Sequence, residues 1–312
     1  MEYRSLGRCG TKVSEISLGG WINFEAKIPQ DEAQKIVSTA YDNGVNFYDL
    51  ADVYGNGEAE RFMGGLLKQY PRHTLVISSK LFWEMSDDIN DRGLSRKHIM
   101  ESIDRSLANL GTEYLDIYFC HRPDPETPLI ETARAMDDLI HRGKVLYWGT
   151  SKWEPERVRE VVDLCEKYHL YPPQVEQPIY NILDQENVDT LATVAKDAGM
   201  GVVVFSPLAY GMLTGKYDDG VPADSRFSTE EWAAEHYLND ANVDRVKMLR
   251  SIAHELSMTR AQLALAWVLQ NPVVSSAITG ATKLRQMEDN LQAAGKKLSD
   301  EVMRYIAQVV IA

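Results

Sequence analysis

Asn46-Phe47-Tyr48-Asp49-Leu50-Ala51-Asp52-Val53-Tyr54-Gly55 is the stretch whose reading decides the fold. Phe47 and Tyr48 run into Asp49, and Tyr54 follows just before Gly55. A strand that ends in an acid, then a tight turn presenting a phenol, suits a barrel strand whose C-terminal end carries chemistry. A phenol beside a carboxylate does little alone, because tyrosine titrates near pH ~10. A neighbouring ammonium changes that by stabilising the phenolate. Leu75-Val76-Ile77-Ser78-Ser79-Lys80 supplies such a group at the end of the next apolar strand, and residues 114–120 lead into His121. One polar residue at a strand end is ordinary. Asp, Lys and His ending three successive strands, with a Tyr just past the first, point to a reacting centre.

Outward from this stretch the pattern repeats. Residues 3–13, with Gly7 and Gly10-Thr11, predict a short β-hairpin that plugs the bottom of a barrel. Residues 16–20 form a first strand with Trp21 at its exit. Ala33, Ile36, Val37, Ala40 and Tyr41 have helical spacing over 31–42, closed by Asn43-Gly44. Further strands are expected at 75–79, 114–120, 145–150, 174–177, 201–205 and 274–278. Helices are expected over 58–69, 95–109, 129–141, 155–168, 187–198, 243–256 with 260–270, and 282–293. A final outer helix covers 299–309. Eight strands alternating with helices, with no linker or repeat between them, predict an α/β fold: one (β/α)8 TIM barrel over residues 1–312, a fold that commonly runs near ~250 residues. A doubly wound sheet would want a GxGxxG turn after the first strand, and Gly19-Gly20-Trp21 does not begin one. The connection 209–242 after the seventh strand is long, and it carries Tyr210, Tyr217, Phe227, Trp232 and Tyr237 with the cations Lys216 and Arg226. It reads as a lid loop that clamps phosphates.

Composition narrows the function. The chain has 312 residues, 44% hydrophobic and 25% charged, with a net charge of −13. No basic patch offsets that balance, so a nucleic-acid surface is not expected. No window approaches ~18 uncharged apolar residues, so no membrane span is expected. The first residues lack the apolar run of a secretion signal. Cys9, Cys120 and Cys165 are odd in number and far apart, which fits reduced thiols in a cytoplasmic protein.

The chemistry follows by elimination and fit. Metal hydrolysis would want several histidines and carboxylates at strand tops, and only His121 of the seven histidines stands at one. No GxSxG elbow occurs. What remains is Tyr54 as proton donor, Lys80 as its activator, Asp49 holding Lys80, and His121 hydrogen-bonding the substrate oxygen. Such a group suits a carbonyl that receives hydride. Side chains supply no hydride, so a nicotinamide is required. Its phosphates are expected at the helix opened by Gly280-Ala281-Thr282, and Phe205 at the end of the seventh strand can stack on its ring.

Taken together these residues resemble the aldo-keto reductase family, most closely the branch holding the voltage-gated potassium-channel β subunits and their bacterial enzyme relatives. The resemblance runs over nearly the whole chain. It is carried by Asp49 to Gly55 as quoted above, Ser79-Lys80-Leu81-Phe82-Trp83, Arg92-Gly93-Leu94-Ser95-Arg96-Lys97-His98, His121-Arg122-Pro123-Asp124-Pro125, Tyr147-Trp148-Gly149-Thr150-Ser151-Lys152-Trp153, Phe205-Ser206-Pro207-Leu208 and Gly215-Lys216-Tyr217. The resemblance implies that Asp49, Tyr54, Lys80 and His121 are a catalytic tetrad with Tyr54 as general acid. It implies that Ser151 and Gln177 hold a nicotinamide carboxamide, with Trp21 and Lys152 beside them, and that Phe205 stacks under the ring. Ser206 and Leu208 would meet the pyrophosphate, Lys216 and Arg226 would clamp it, and Gly280, Thr282, Gln286 and Asn290 would surround the adenosine end. The family mostly uses NADPH (NADP+). Many members carry Lys and Arg where this chain has Gly280 and Gln286, so the grip on a 2′-phosphate falls to Lys216, Lys283 or Arg285, and NADH remains the alternative. Lys152 replaces an Asn common in the family. The channel subunits carry Asn where this chain has His121.

Two functions from different classes follow. One is NADPH-dependent reduction of small aldehydes or ketones, in a pocket lined by Trp21, Tyr54, Phe82, Trp83 and lid aromatics. The other is a cofactor-loaded regulatory subunit that docks on a channel or another protein. By resemblance the chain forms homo-oligomers, tetramers or octamers. A metal hydrolase on the same barrel is a third and weaker reading.

Overall fold

In the computed structural model, which describes residues 1–21 and 28–311, eight parallel strands close on themselves in chain order. An antiparallel hairpin comes first, β1 (Tyr3–Ser5) against β2 (Lys12–Ser14). The barrel strands are β3 (Ile16–Gly19), β4 (Phe47–Asp49), β5 (Val76–Leu81), β6 (Leu115–Cys120), β7 (Val145–Ser151), β8 (Val175–Gln177), β9 (Gly201–Phe205) and β10 (Val274–Thr279). β10 pairs back onto β3. Outside them run α1 (Gln30–Asp42), α2 (Glu58–Leu67), α3 (Arg96–Leu110), α4 (Leu129–His141), α5 (Pro155–Tyr168) and α6 (Glu186–Ala198). After β9 come α7 (Arg226–Thr229), α8 (Glu231–Tyr237), α9 (Asp240–Glu255) and α10 (Arg260–Gln270). After β10 come α11 (Leu284–Leu291) and the outer helix α12 (Asp300–Ile306). The expected (β/α)8 barrel is present, and so are its hairpin and its C-terminal extra helix.

The strands' period of two sorts side chains into an interior and a helix-facing layer. Phe47, Val76, Ile117, Phe119, Val175, Val203 and Ile278 fill the lower interior, and Leu6 and Val13 close it from below. The hairpin is thus a plug, as the sequence predicts. Gly7 makes the seal: its φ is +62°, and a Cβ there would lie 2.2 Å from the Gly199 carbonyl. One step further along the same inward rows the residues turn polar: Asp49, Ser78, Lys80, Ser151 and Gln177. That change gathers polar groups at one end of a filled barrel.

Gly149 shows how tightly the lower layer is filled. It pairs with Phe119 on β6 and Val175 on β8, and a Cβ there would meet the Val175 carbonyl oxygen at 2.5 Å and the Phe119 ring at 2.8 Å. Backbone cannot yield as a side-chain tip can, so Gly149→Ala should destabilise the barrel by about 1–3 kcal/mol. A melt within error of the parent's would show that β7 shifts freely.

The connection after β9 departs from the expected loop. It contains a 3-10 stretch, Ala209–Thr214, and the helices α7 and α8. Tyr217 stacks on Phe227 with ring centres 4.1 Å apart. Arg260 of α10 grips Asp218 at 2.8 and 3.0 Å, and Asn181 donates to the Tyr237 hydroxyl at 3.0 Å. The segment is therefore tied to the barrel at several points. Helices of four to seven residues are too short to leave a periodic signal, which is why the sequence reads them as loop.

Candidate active site

The inward rows of β4, β5 and β6 end at one place. Lys80, fully buried, donates to Asp49 Oδ2 at 2.6 Å and to the Leu50 carbonyl at 2.7 Å, and its Nζ lies 3.4 Å from the Tyr54 hydroxyl. Asp49 Oδ1 accepts from Ser78 Oγ at 2.7 Å and from Gln177 Nε2 at 3.0 Å. The carboxylate thus takes three donors, which fixes the lysine behind the phenol. Burial pulls the Lys80 ammonium below its ordinary pKa, and Asp49 opposes this. The Tyr54 and His121 rings meet edge-on, 6.0 Å apart. Burial first, then Lys80 and Arg122, holds the His121 imidazole well below its usual value, so the ring is neutral. Its Nδ1 is buried without a hydrogen-bond partner among the described residues. All four expected tetrad residues converge. Asp52, the second acid of the quoted stretch, does not join them. Its charged neighbours are Glu60, Arg105 and Asp91, and burial pushes its carboxyl well up.

The residues expected to meet a nicotinamide adjoin this centre. Ser151 Oγ donates to the Gln177 carbonyl at 2.9 Å, so Ser151 and Gln177 form one unit with Asp49. Lys152 follows with φ 54°, a left-handed conformation rare for a long side chain. Glu176, one residue from Gln177 and facing outward, accounts for that turn. It accepts from the Thr150 hydroxyl and from the Trp153 amide at 3.3 Å, pinning both sides of Ser151-Lys152. The sequence reading missed Glu176. A carboxyl in a buried strand, two residues after Pro173-Gln174, was the only signal.

Burial pushes the Glu176 carboxyl up to about 7, with the Thr150 hydroxyl the main opposing influence. Its folded pKa is thus raised above the unfolded value near ~4.3. Its stabilising contribution is present below the unfolded value and is lost as pH rises through about 7. Glu176→Gln should remove this dependence. Between about pH 5 and pH 8 the variant should gain on the parent by roughly 3 kcal/mol. Thermal melts across that range check this, and a constant gap would assign the titration elsewhere.

Aromatic rings wall the mouth. Trp21 lies 6.2 Å from Tyr54, 5.8 Å from Tyr210 and 5.3 Å from Trp232, centre to centre. Trp83, 40% exposed, meets His121 edge-on at 6.1 Å. Phe82 touches Trp83 at 5.2 Å and backs it against the core. Of the expected pocket residues, Trp21 and Trp83 thus border the tetrad, and Phe82 supports. The buried thiols are held in the protonated form: burial pushes Cys120 well up and Cys165 up to about 12.

At the far side, cations gather on the lid. Lys216 is flanked by Arg226, Asp224 and Lys283, and burial followed by Arg226 lowers its pKa. Arg226 also reaches over the Trp21 ring at 5.9 Å. Phe205 is partly exposed at the end of β9, next to Ser206 and Leu208. Asn290 is buried, and its Nδ2 lacks a partner among the described residues. Gly280 and Thr282 are exposed. These features fit a phosphate-bearing dinucleotide: positive charge on the lid, a flat apolar face and an idle amide donor. One expectation needs correction. The helix begins at Leu284, two residues later than expected. The amides of Thr282 and Lys283 donate to Gln286 Oε1 at 2.8 and 3.2 Å, and that of Leu284 donates to Glu32 Oε1 at 2.7 Å. A helix N-terminus must satisfy its first N–H groups, and here side chains of the same chain do so. The first N–H groups of that helix end are thus already satisfied, and the positive charge nearby comes from Lys216, Arg226 and Lys283.

A (β/α)8 barrel with a buried lysine, a phenol and an imidazole at its C-terminal mouth is the class that fold and site define. The model of the Aldo/keto reductase family matches residues 15–311, and the chain belongs to that family. The family generally binds NADP(H), and membership supports an oxidoreductase. Similar proteins include a "Probable voltage-gated potassium channel subunit beta" of Arabidopsis thaliana, 43% identical over 99% of this chain and 97% of the relative. A protein of the same name from Oryza sativa subsp. japonica has the same identity and coverage. A "Putative voltage-gated potassium channel subunit beta" of Schizosaccharomyces pombe is 38% identical over 99% of this chain and 93% of its own. Among the described residues no helix is long and apolar enough to cross a membrane.

Proposed function

We propose that this chain reduces small aldehydes and ketones to alcohols with NADPH, Tyr54 acting as general acid. The observation that carries the reading is the Lys80 ammonium, 3.4 Å from the Tyr54 hydroxyl and held there by Asp49 and Leu50. As a carbonyl oxygen gains negative charge, Tyr54 gives it a proton, and Lys80 stabilises the phenolate left behind. His121 is neutral, so it donates a hydrogen bond to the same oxygen without adding charge. A reduced nicotinamide, when bound, supplies the hydride. Ser151, Gln177 and Phe205 would hold its ring, with Trp21 and Lys152 alongside. Ser206, Leu208, Lys216 and Arg226 would hold its phosphates, and Gly280, Thr282, Gln286 and Asn290 its adenosine. Lys283 is the cation that favours NADPH over NADH. We place this function in the cytoplasm and in a homo-oligomer.

The test is loss of NADPH absorbance against p-nitrobenzaldehyde and methylglyoxal, for the parent and for Tyr54→Phe. A parent no faster than the variant would overturn the reading. It would favour a second one, drawn from the names of the relatives: a cofactor-loaded subunit that acts through a channel or another protein partner. His121, where the resemblance gives the channel subunits Asn, supports the first.

A further inference from the structure

The mouth of the barrel carries a cation that the mechanism above leaves unused. Arg122 follows His121 at the top of β6 and is partly buried. Its guanidinium lies 5.5 Å over the Trp83 ring, and one nitrogen donates to the His121 carbonyl. Its charge is felt by Tyr54, Tyr210 and Glu176, as well as by Lys80, His121 and Lys152. It therefore stands above the tetrad, on the side where substrate enters.

Among the described residues it lacks a counter-charge. Arg4, Arg72 and Arg260 are also partly buried, and each holds a carboxylate, at 3.1, 2.7 and 2.8 Å. Among the described residues no carboxylate lies within ion-pair distance of Arg122. Its nearest acid by charge, Glu176, faces outward and is committed to Thr150 and Trp153. Taking a guanidinium partly out of water without a partner is costly. Lys152, just past the end of β7, adds a second cation, and partial burial followed by Arg122 lowers its pKa. Asp49, the tetrad's own carboxylate, is already engaged by Lys80. In a chain of net charge −13 this mouth is a local positive field, which concentrates anions. A planar fork of donors is suited to grip the two oxygens of a carboxylate or phosphate.

We propose that the site selects carbonyl substrates bearing an anionic group, a carboxylate or a phosphate, and that Arg122, aided by Lys152, binds that group and sets the specificity. Trp83 holds the guanidinium plane, so the anion lies between the indole and the lid while the carbonyl reaches Tyr54. This rests on the carbonyl-reductase reading of the same mouth.

The experiment compares matched pairs with NADPH: glyceraldehyde against glyceraldehyde 3-phosphate, and benzaldehyde against p-carboxybenzaldehyde. A charge-assisted contact of this kind is worth about 10- to 100-fold in kcat/KM, so the parent should favour the charged member of at least one pair. The pair with the larger ratio tells phosphate from carboxylate. Arg122→Met should erase that ratio mainly through KM, and Arg122→Lys should keep part of it. Benzoate should inhibit the parent's reduction of benzaldehyde more strongly than benzyl alcohol does, which reads the same cation without a variant. If the parent reduces the neutral members as well as the charged ones, and benzoate is no better an inhibitor, the proposal is overturned. If the parent reduces none of the four, the reductase reading falls, and this one with it.

Discussion

Tyr54→Phe lowers kcat by about 10²-fold or more, since proton transfer contributes that much, and leaves the protein as stable as the parent. The two halves of this expectation come from different atoms. The Tyr54 ring is packed against Trp21 and His121, and phenylalanine keeps that packing. Only the hydroxyl goes. Lys80 loses a contact at 3.4 Å and keeps those to Asp49 and Leu50 at 2.6 and 2.7 Å, so its ammonium stays satisfied. NADPH binding, read as quenched cofactor fluorescence, should therefore survive while turnover does not. Carbonyl reduction at the parent's rate would mean that another group gives the proton.

Lys80→Met should have a comparable effect on kcat and a larger one on stability. Methionine fills the space but leaves Asp49 a buried carboxylate with two hydrogen bonds, from Ser78 and Gln177, and no cation. Breaking a buried pair from one side costs about 3–5 kcal/mol. Adding Asp49→Asn removes the stranded charge while keeping an acceptor for Ser78 and Gln177. The double variant should therefore regain most of the lost stability and none of the activity. Melts and NADPH oxidation on both variants separate the two roles. Should the single variant melt with the parent, the ion pair is not what holds Asp49; should the double variant turn over at the parent's rate, Lys80 does not activate Tyr54.

Much of this centre was legible in the chain because side-chain direction in a strand is a local property. Phe47 and Asp49 share a face two residues apart, as do Ser78 and Lys80, so a polar residue at the end of an apolar row must sit at the barrel's mouth. Helices were legible for the same reason, down to Ser95 capping α3 by accepting from the His98 amide. Short elements were not. α7 and α8 carry too few residues for a period, and they are held by distant partners such as Asn181 and Arg260. The start of α11 was misjudged because Gln286 and Glu32 serve its amides, and Glu32 reaches it from 252 positions away.

What the sequence determined by itself was therefore the barrel, the plug and the four residues that gather at its mouth, because each follows from spacing along a single segment. Tertiary structure alone decided that Gln177 steadies Asp49, that Glu176 pins the turn after Thr150, and that Arg122 has no carboxylate to balance it among the described residues. Those facts depend on the register between strands, Ser151 beside Gln177 and Thr150 beside Glu176, and on which charges remain unpaired once all segments are packed. Electrostatic pairing acts through space between residues far apart in the chain, so no local pattern encodes it.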